Sequence, residues 1–301
     1  MLRVSGETEW KRLEQLTRQR SLSGDEIDEF DRLYRSTTTD LARVRTFNPD
    51  PDVIAELSRI LSAARGRLAG TGGLSGAVIA RFFTVSLPLT LYRIRWVILA
   101  VMAAFIAIAG VQAYYLMSHP DVMNELGTPE QLKYYAQSAF VEYYHQDTNA
   151  EFGLSVWANN AWIALVGVAT GITGVYPLRI LWENATSIGT ATAIVFSYGG
   201  VWHFFRFILP HGLPELTAVF ISIAAGLRVF WSLLVPGPMT RFQAVGQAAR
   251  GAMTAAAGCA ILLAGSGVLE GFVTPSDLPD AVKITLGALM TGAVWAYILI
   301  L

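Results

Sequence analysis

Residues 96–116, WVILAVMAAFIAIAGVQAYYL, form a continuous stretch without a single charged side chain. At about 1.5 Å per residue, a helix of this length crosses the roughly 30 Å hydrocarbon core of a bilayer. The rest of the chain agrees, because 53% of its 301 residues are hydrophobic and only 15% are charged. The sequence therefore predicts an all-α integral membrane protein and excludes an ordinary soluble domain of this size.

Five further apolar stretches follow, so about six transmembrane helices are predicted. They cover 96–116, 154–176, 180–198, 214–235, 253–272 and 281–301. The inner connections carry Arg179, Arg241 and Arg250, whereas the outer loop 118–151 carries six acidic residues and one lysine. By the positive-inside rule, both termini are expected in the cytoplasm. Lys283 and Arg206 are the exceptions to this pattern.

Residues 1–70 are predicted to form a cytoplasmic helical domain. The chain begins with a polar, charged stretch instead of a signal peptide, and 27 of the 45 charged residues precede Trp96. Ser23 and Glu26 fit a capping box, while Asp50 and Pro51 fit an N-cap and the first residue of another helix. The charges of both signs are interspersed, which indicates a solvated helix surface and argues against nucleic-acid binding.

Residues 71–95 are predicted to connect this domain to the membrane. Thr71-Gly72-Gly73 has the composition of a linker. Val78 to Leu91 has several large apolar residues beside one arginine, which is typical of an amphipathic helix lying in the membrane interface. Pro88 is expected to kink this helix.

The segment RFILPHGLPELTAVF, residues 206–220, places His211 and Glu215 inside an apolar stretch. Val201 to Pro210 is too short to cross a membrane, so it is predicted to re-enter the bilayer and to turn at Gly212 into the span that starts at Pro214. If Arg228 marks the inner interface, that span is only about 22 Å long. Its outer end, with His211 and Glu215, would then be submerged in the membrane.

Other polar residues are predicted at the same outer level of the membrane. The resulting cluster comprises Asn159, Asn160, His211, Glu215 and Glu270. These side chains either cap helices and join them by hydrogen bonds or form a site for an ion, a ligand or a partner. The spacing of His211 and Glu215 suits a metal ligand pair, but no second nearby HxxxH or HExxH motif supports it. No metal and no cofactor are therefore predicted.

At the inner side, Arg179 and Glu183 have the spacing of a structural ion pair, with Asn184 beside them. Small residues recur in the spans at or near spacings that let helices approach closely, which predicts a tight bundle and a homodimer. Gly167, Gly171, Gly174, Gly189, Ala255, Cys259, Gly287 and Gly292 belong to this set. Cys259 is the only cysteine, so it is interpreted as a core residue.

Four segments together resemble the stage II sporulation protein M family. They are VWANNAWIAL (156–165), LWENATSIG (181–189), LPHGLPELTAVFISIAAGLR (209–228) and GVLEGFVTPS (267–276). The resemblance implies a multi-pass protein of the bacterial plasma membrane without catalytic residues of its own. The sporulating member acts with peptidoglycan-remodelling proteins during engulfment, and other members are often encoded beside an AAA ATPase and other membrane proteins. The N-terminal domain resembles actinobacterial-type members and departs from the sporulating one, so no sporulation role is expected.

Three functions are compatible with the sequence. The leading expectation is a non-enzymatic scaffold, a partner-binding subunit of an envelope-associated complex. The alternative is a transporter or channel subunit in which His211, Glu215 and Glu270 handle an ion or a proton. The third is an intramembrane hydrolase, although no Walker loop, dinucleotide fingerprint, GxSxG or zinc-protease motif occurs in the sequence.

Overall fold

The structure, a computed structural model, describes residues 2–19, 22–47, 49–68, 76–139 and 149–300. Within those ranges every regular element is a helix, so the all-α prediction is confirmed. The helices are α1 (Leu2–Arg18), α2 (Gly24–Phe47), α3 (Pro51–Leu68), α4 (Gly76–Arg81), α5 (Leu87–Ser118), α6 (Pro120–Glu125), α7 (Pro129–Tyr134), α8 (Asn149–Ala169), α9 (Val175–Tyr198), α10 (Val201–Leu234), α11 (Arg241–Val268) and α12 (Asp280–Leu299). The chain divides into two compact units, Met1–Ile79 and Ala80–Leu301.

The first unit contains α1, α2 and α3 around a hydrophobic core of its own. Leu13, Leu16 and Leu57 are completely buried in it. Outside the core, Arg59 of α3 forms an ion pair with Glu14 of α1, with its Nη1 2.8 Å from Oε1. The hydrogen bond from Arg59 holds the pKa of the Glu14 carboxyl below its ordinary value.

Both predicted helix starts in this unit are confirmed. Ser23 and Glu26 form a reciprocal capping box, in which Ser23 N donates to Glu26 Oε2 at 2.9 Å and Glu26 N donates to Ser23 Oγ at 3.4 Å. Asp50 caps α3, which begins at Pro51, by accepting a hydrogen bond from Asp52 N at 3.1 Å. These bonds satisfy N–H groups in the first turns of α2 and α3 that have no partner within the helix.

The central helix of the second unit is α10. In the most apolar part of α10, 67% of the residues are buried. The most apolar parts of Arg241–Val273 and Val78–Ser118 are 44% and 22% buried. Glycines allow α8 and the turn that follows it to lie close to α10, because a Cβ on Gly171 in this turn would be only 2.6 Å from Gly226 Cα. Gly226 also lies against the backbone carbonyl of Gly167. The backbones therefore touch where larger side chains would separate the helices.

Four helical segments of the described chain are long and apolar enough to cross a membrane. They are Val78–Ser118, Val201–Leu234, Arg241–Val273 and Asp280–Leu299. They correspond to the predicted spans that begin at residues 96, 214, 253 and 281. The other two predicted spans coincide with a shorter apolar helix, Gly153–Ala169, and with α9.

The predicted re-entrant segment is wrong. The chain does not turn at Gly212, because α10 continues from Val201 to Leu234 through Pro210 and Pro214. Prolines are tolerated inside a membrane helix where neighbouring helices satisfy or cover the carbonyl groups that they leave free. With 34 residues, α10 is about 51 Å long, so the argument from a short fourth span does not hold.

Two further boundaries differ from the prediction. The second span was predicted to continue to residue 176, but α8 ends at Ala169 and the chain reverses through Gly171–Thr173 and Gly174, whose φ of 67° favours glycine. The predicted interfacial helix is continuous with the first span, because a π-helical turn at Phe82–Ser86 joins α4 to α5 and Pro88 lies in the first turn of α5. The predicted linker at residues 71–73 lies outside the described residues.

Candidate functional site

His211 and Glu215 lie on one face of α10 because the helix is unbroken between them. Residues four apart on a helix are neighbours on its surface, and here both point toward α11. Pro214 has no N–H to give to the carbonyl of Pro210, and this carbonyl lies against Gly287 of α12. The neighbouring carbonyl of His211 accepts a hydrogen bond from Ser266 Oγ at 2.9 Å. Contacts from α11 and α12 thus cover the part of α10 that carries the two ionisable residues.

Glu270 reaches the same place from a π-helical turn. After α11 ends at Val268, the chain forms a π-helical turn at Leu269–Val273, with hydrogen bonds between residues five apart. Thr274 N donates to Leu269 O at 2.7 Å. Such a turn contains one residue more than an α-helical turn, which changes the direction of the side chains around it, and π turns are frequent at functional sites. Glu270 lies on the buried face of this turn and is only 3% exposed.

His211 contacts Thr274, and the hydrogen bonds of Thr274 favour one of its tautomers. Thr274 Oγ1 donates its hydrogen to Leu269 O at 3.1 Å, so it accepts a hydrogen from His211 Nδ1 at 3.3 Å. The neutral imidazole then carries its proton on Nδ1 and its lone pair on Nε2. Nε2 lies 3.7 Å from Glu270 Oε1. A proton or another cation between these two atoms would turn their repulsion into an attraction.

Glu215 completes the group. It is half-buried, and its carboxyl lies within hydrogen-bonding reach of the side chains of Asn160, Ser266 and Glu270. One ligand atom from each of His211, Glu215 and Glu270 lies within 4.8 Å of the other two. We call these three residues the His–Glu–Glu cluster. Two carboxyl groups so close together in a buried position cannot both be charged without a compensating cation.

The second carboxylate oxygen of Glu270 shows that the negative charge of the cluster is not balanced. Glu270 Oε2 is buried and has no hydrogen-bond partner in the described part of the chain. The buried Lys283 is engaged elsewhere, because its Nζ donates to the backbone carbonyls of Thr274 at 2.8 Å and Ser276 at 2.6 Å. Among the described residues, no lysine or arginine forms a salt bridge with Glu215 or Glu270. The His–Glu–Glu cluster can therefore accept positive charge.

Residues 96–275 match the model of stage II sporulation protein M. The chain belongs to this family. A second model, described as a domain of unknown function (DUF8413), matches residues 5–70. No curated protein and no solved structure matches the chain.

The resemblance to the stage II sporulation protein M family found in the sequence is thus confirmed. The whole His–Glu–Glu cluster lies within the region that matches the family, as do Asn160 and Ser266. Lys283 lies beyond it, on α12.

The structure distributes the other predicted site residues of this family member differently. Asn160 faces Glu215, but the adjacent Asn159 is exposed and lies outside the cluster, because successive residues of a helix point about 100° apart. Arg179 and Glu183 form an exposed pair, with Nε 2.6 Å from Oε1. Asn184 donates to Ile180 O at 2.8 Å, and this part of α9 takes no part in the cluster.

Sequence reasoning missed Ser266 and Thr274, which contact the cluster, and the role of Lys283, which binds the backbone beside it. Ser266 and Thr274 gave no signal, since single hydroxyl residues are common in membrane helices. Lys283 did give one, as a basic residue beside an acidic connection that was predicted to be extracytoplasmic. In the structure it is buried and donates to two backbone carbonyls.

Proposed function

We propose that this chain is a non-enzymatic, multi-pass protein of the bacterial plasma membrane whose second unit moves a cation or a proton through the His–Glu–Glu cluster. The observation that carries the proposal is the convergence of three ionisable side chains inside a bundle of apolar helices, two of them buried and Glu215 half-buried. Such residues are costly in a membrane and are a functional site by default. The protein would then be a transporter or a subunit of a channel.

The position of the cluster along α10 supports this function. Exposed tryptophans, Trp202 and Trp231, mark the two ends of α10, as expected for a helix with both ends near an interface. Glu215 is about 20 Å from Trp202 and about 24 Å from Trp231 along the helix axis. This central position supports a site at a depth where a transported cation would have to leave water.

The hydrogen bonds of the cluster favour cation handling over hydrolysis. Ser266, whose hydroxyl lies within hydrogen-bonding reach of Glu215, donates its hydrogen to the backbone carbonyl of His211. Cys259 Sγ likewise donates to a backbone carbonyl, that of Ala218, at 3.4 Å. These contacts support a non-enzymatic function.

Flux through liposomes tests the proposal. Purified protein in vesicles with an internal pH-sensitive or metal-sensitive dye should dissipate an imposed gradient faster than protein-free vesicles. Glu215→Gln, which keeps size and hydrogen bonding but removes the charge, should abolish the difference without loss of folding. Glu183→Gln is the matched control, because Glu183 is an exposed carboxylate of the same unit. Wild-type vesicles that leak no faster than empty ones would refute the proposed transport.

The proposal includes a membrane topology of six spans with both termini in the cytoplasm. In a Cys259→Ala background, Glu130→Cys should react with a membrane-impermeant maleimide on intact cells, whereas Pro238→Cys should react only after permeabilisation. Both positions are exposed, and Pro238 lies in the connection between α10 and α11. Labelling of position 238 but not of position 130 on intact cells would invert the topology.

A scaffold in an envelope-associated complex is the second candidate function. It is favoured by the first unit, which has its own hydrophobic core and matches a separate family model. On this proposal the chain forms a homodimer and its first unit binds other membrane or envelope proteins. Purification in mild detergent with mass measurement tests it, since a scaffold should retain its partners in a fixed ratio, whereas a transporter should be recovered as a homo-oligomer alone.

A further inference from the structure

We propose that the cation of the His–Glu–Glu cluster is a divalent transition-metal ion, bound by His211 Nε2 and by the carboxylates of Glu215 and Glu270. The inference rests on the proposed function, because it specifies the cation that this site handles. It also differs from the expectation drawn from the sequence, in which no metal was predicted.

The ligand atoms are almost at the separation that one ion requires. Two ligands about 2.1 Å from a tetrahedral ion are about 3.4 Å apart. His211 Nε2 and Glu270 Oε1 are 3.7 Å apart, and all three ligand atoms lie within 4.8 Å of one another. Small side-chain rotations therefore suffice to bring them around one ion.

The contact between His211 and Thr274 is of the kind that accompanies metal-ligating histidines. Such a histidine usually donates its other ring N–H to an oxygen, which fixes the tautomer and the orientation of the ring. Here Nδ1 donates to Thr274 Oγ1, which in turn donates to Leu269 O. Nε2 is left as the ligand atom, directed at Glu270.

Glu270 Oε2 is an independent indication that a ligand is expected. Glu270 is only 3% exposed, and its Oε2 has no hydrogen-bond partner among the described residues. A buried carboxylate oxygen without a partner is destabilising unless a cation or a donor faces it. A dication would balance both carboxylates at once, whereas a single proton balances only one of them.

The donor set indicates the class of metal. One imidazole and two carboxylates suit Zn²⁺ and related first-row ions, whereas Mg²⁺ and Ca²⁺ prefer oxygen ligands alone. Asn160 and Ser266 lie beside Glu215 and offer an oxygen for a fourth position. Two of the ligands come from α10 at i and i+4, and the third comes from the π-helical turn that follows α11.

Zinc binding by the full-length protein in detergent tests the inference. After stripping with a chelator, reloading with Zn²⁺ and desalting, the wild type should retain about one zinc ion per chain. Zn²⁺ should also raise its melting temperature, since a ligand that binds only the folded state stabilises it. Thr274→Val keeps the ligands but removes the oxygen behind His211, and it should weaken zinc binding about 10- to 100-fold.

Variants of the ligands and matched controls complete the test. His211→Asn and Glu270→Gln should each lose the retained zinc and the zinc-dependent rise in melting temperature. His203→Gln and Glu183→Gln replace the same residue types elsewhere in this unit and should retain both. A wild type without retained zinc or a zinc-dependent melting shift overturns the inference, as does a ligand variant that folds and binds zinc like the wild type.

The outcomes separate this inference from the proposed transport. Zinc retention without flux of zinc or protons would support a metal site and refute transport, because the metal would then only join the helices. Proton flux without zinc retention would support transport and refute the metal site.

Discussion

Gly171→Leu should prevent the second unit from reaching its native packing. A Cβ at this position would lie 2.6 Å from Gly226 Cα and 2.8 Å from Gly226 O, and both are backbone atoms that cannot rotate away. Overpacking of a core typically costs about 1–3 kcal/mol, and a clash between backbones belongs at the upper end of that range. The variant should accumulate poorly or melt well below the wild type in detergent, as measured by the loss of monodisperse protein on heating.

Gly292→Leu is the matched control for this prediction. A Cβ on Gly292 meets no atom within 4 Å, so the same substitution should leave the melting temperature nearly unchanged. Equal melting temperatures for wild type and Gly171→Leu would show that α8 and α10 do not approach each other at Gly226. A large loss in Gly292→Leu alone would instead locate a glycine-dependent contact on α12, such as a dimer interface.

Glu215→Ala should destabilise the protein considerably more than Glu215→Gln. Alanine removes the partner of Asn160, Ser266 and Glu270 together, and unpaired buried polar groups cost about 1–3 kcal/mol each. Glutamine retains the hydrogen-bonding capacity and the size of the side chain, so its effect on folding should be small. The measurement is the melting temperature of both variants in the same detergent after removal of metal ions.

The order of these two variants is the critical result. If Ala and Gln melt alike and close to the wild type, Glu215 does not take part in a buried cluster. If Gln is as destabilising as Ala, the negative charge itself holds the helices together. Metal-free samples are required because a bound ion would add its own stabilisation to the wild type.

Much of the fold follows from local patterns in the sequence. The capping groups at Ser23 and Asp50 predicted two helix starts, because cap chemistry depends only on neighbouring residues. The apolar stretch at 96–116 predicted a membrane helix by length alone. Glycine spacing predicted close contacts, and Gly171 and Gly287 do lie against the backbones of other helices, whereas Gly292 does not.

The errors arose where tertiary contacts override local preference. Pro210 and Pro214 would break an isolated helix, but α10 continues through both, and Gly287 of α12 covers the carbonyl of Pro210 that Pro214 leaves free. The end of α8 was missed because hydropathy stays high through Ile172 and gives no sign of the reversal at Gly174. Glu270 was predicted as a member of the polar cluster, but the π-helical turn that positions it was not, because residue patterns at a period of 3.6 do not reveal such turns.

The members of the His–Glu–Glu cluster are far apart in the sequence, so they are synthesised at different times. Glu215 precedes Glu270 by 55 residues, which takes roughly 3–11 s at a synthesis rate of about 5–20 residues per second. During that interval α10 has two ionisable side chains without the third member of their group, which disfavours its release into lipid. Insertion of α10 should therefore be delayed at the translocon until α11 emerges, so that the two helices enter the bilayer as a pair.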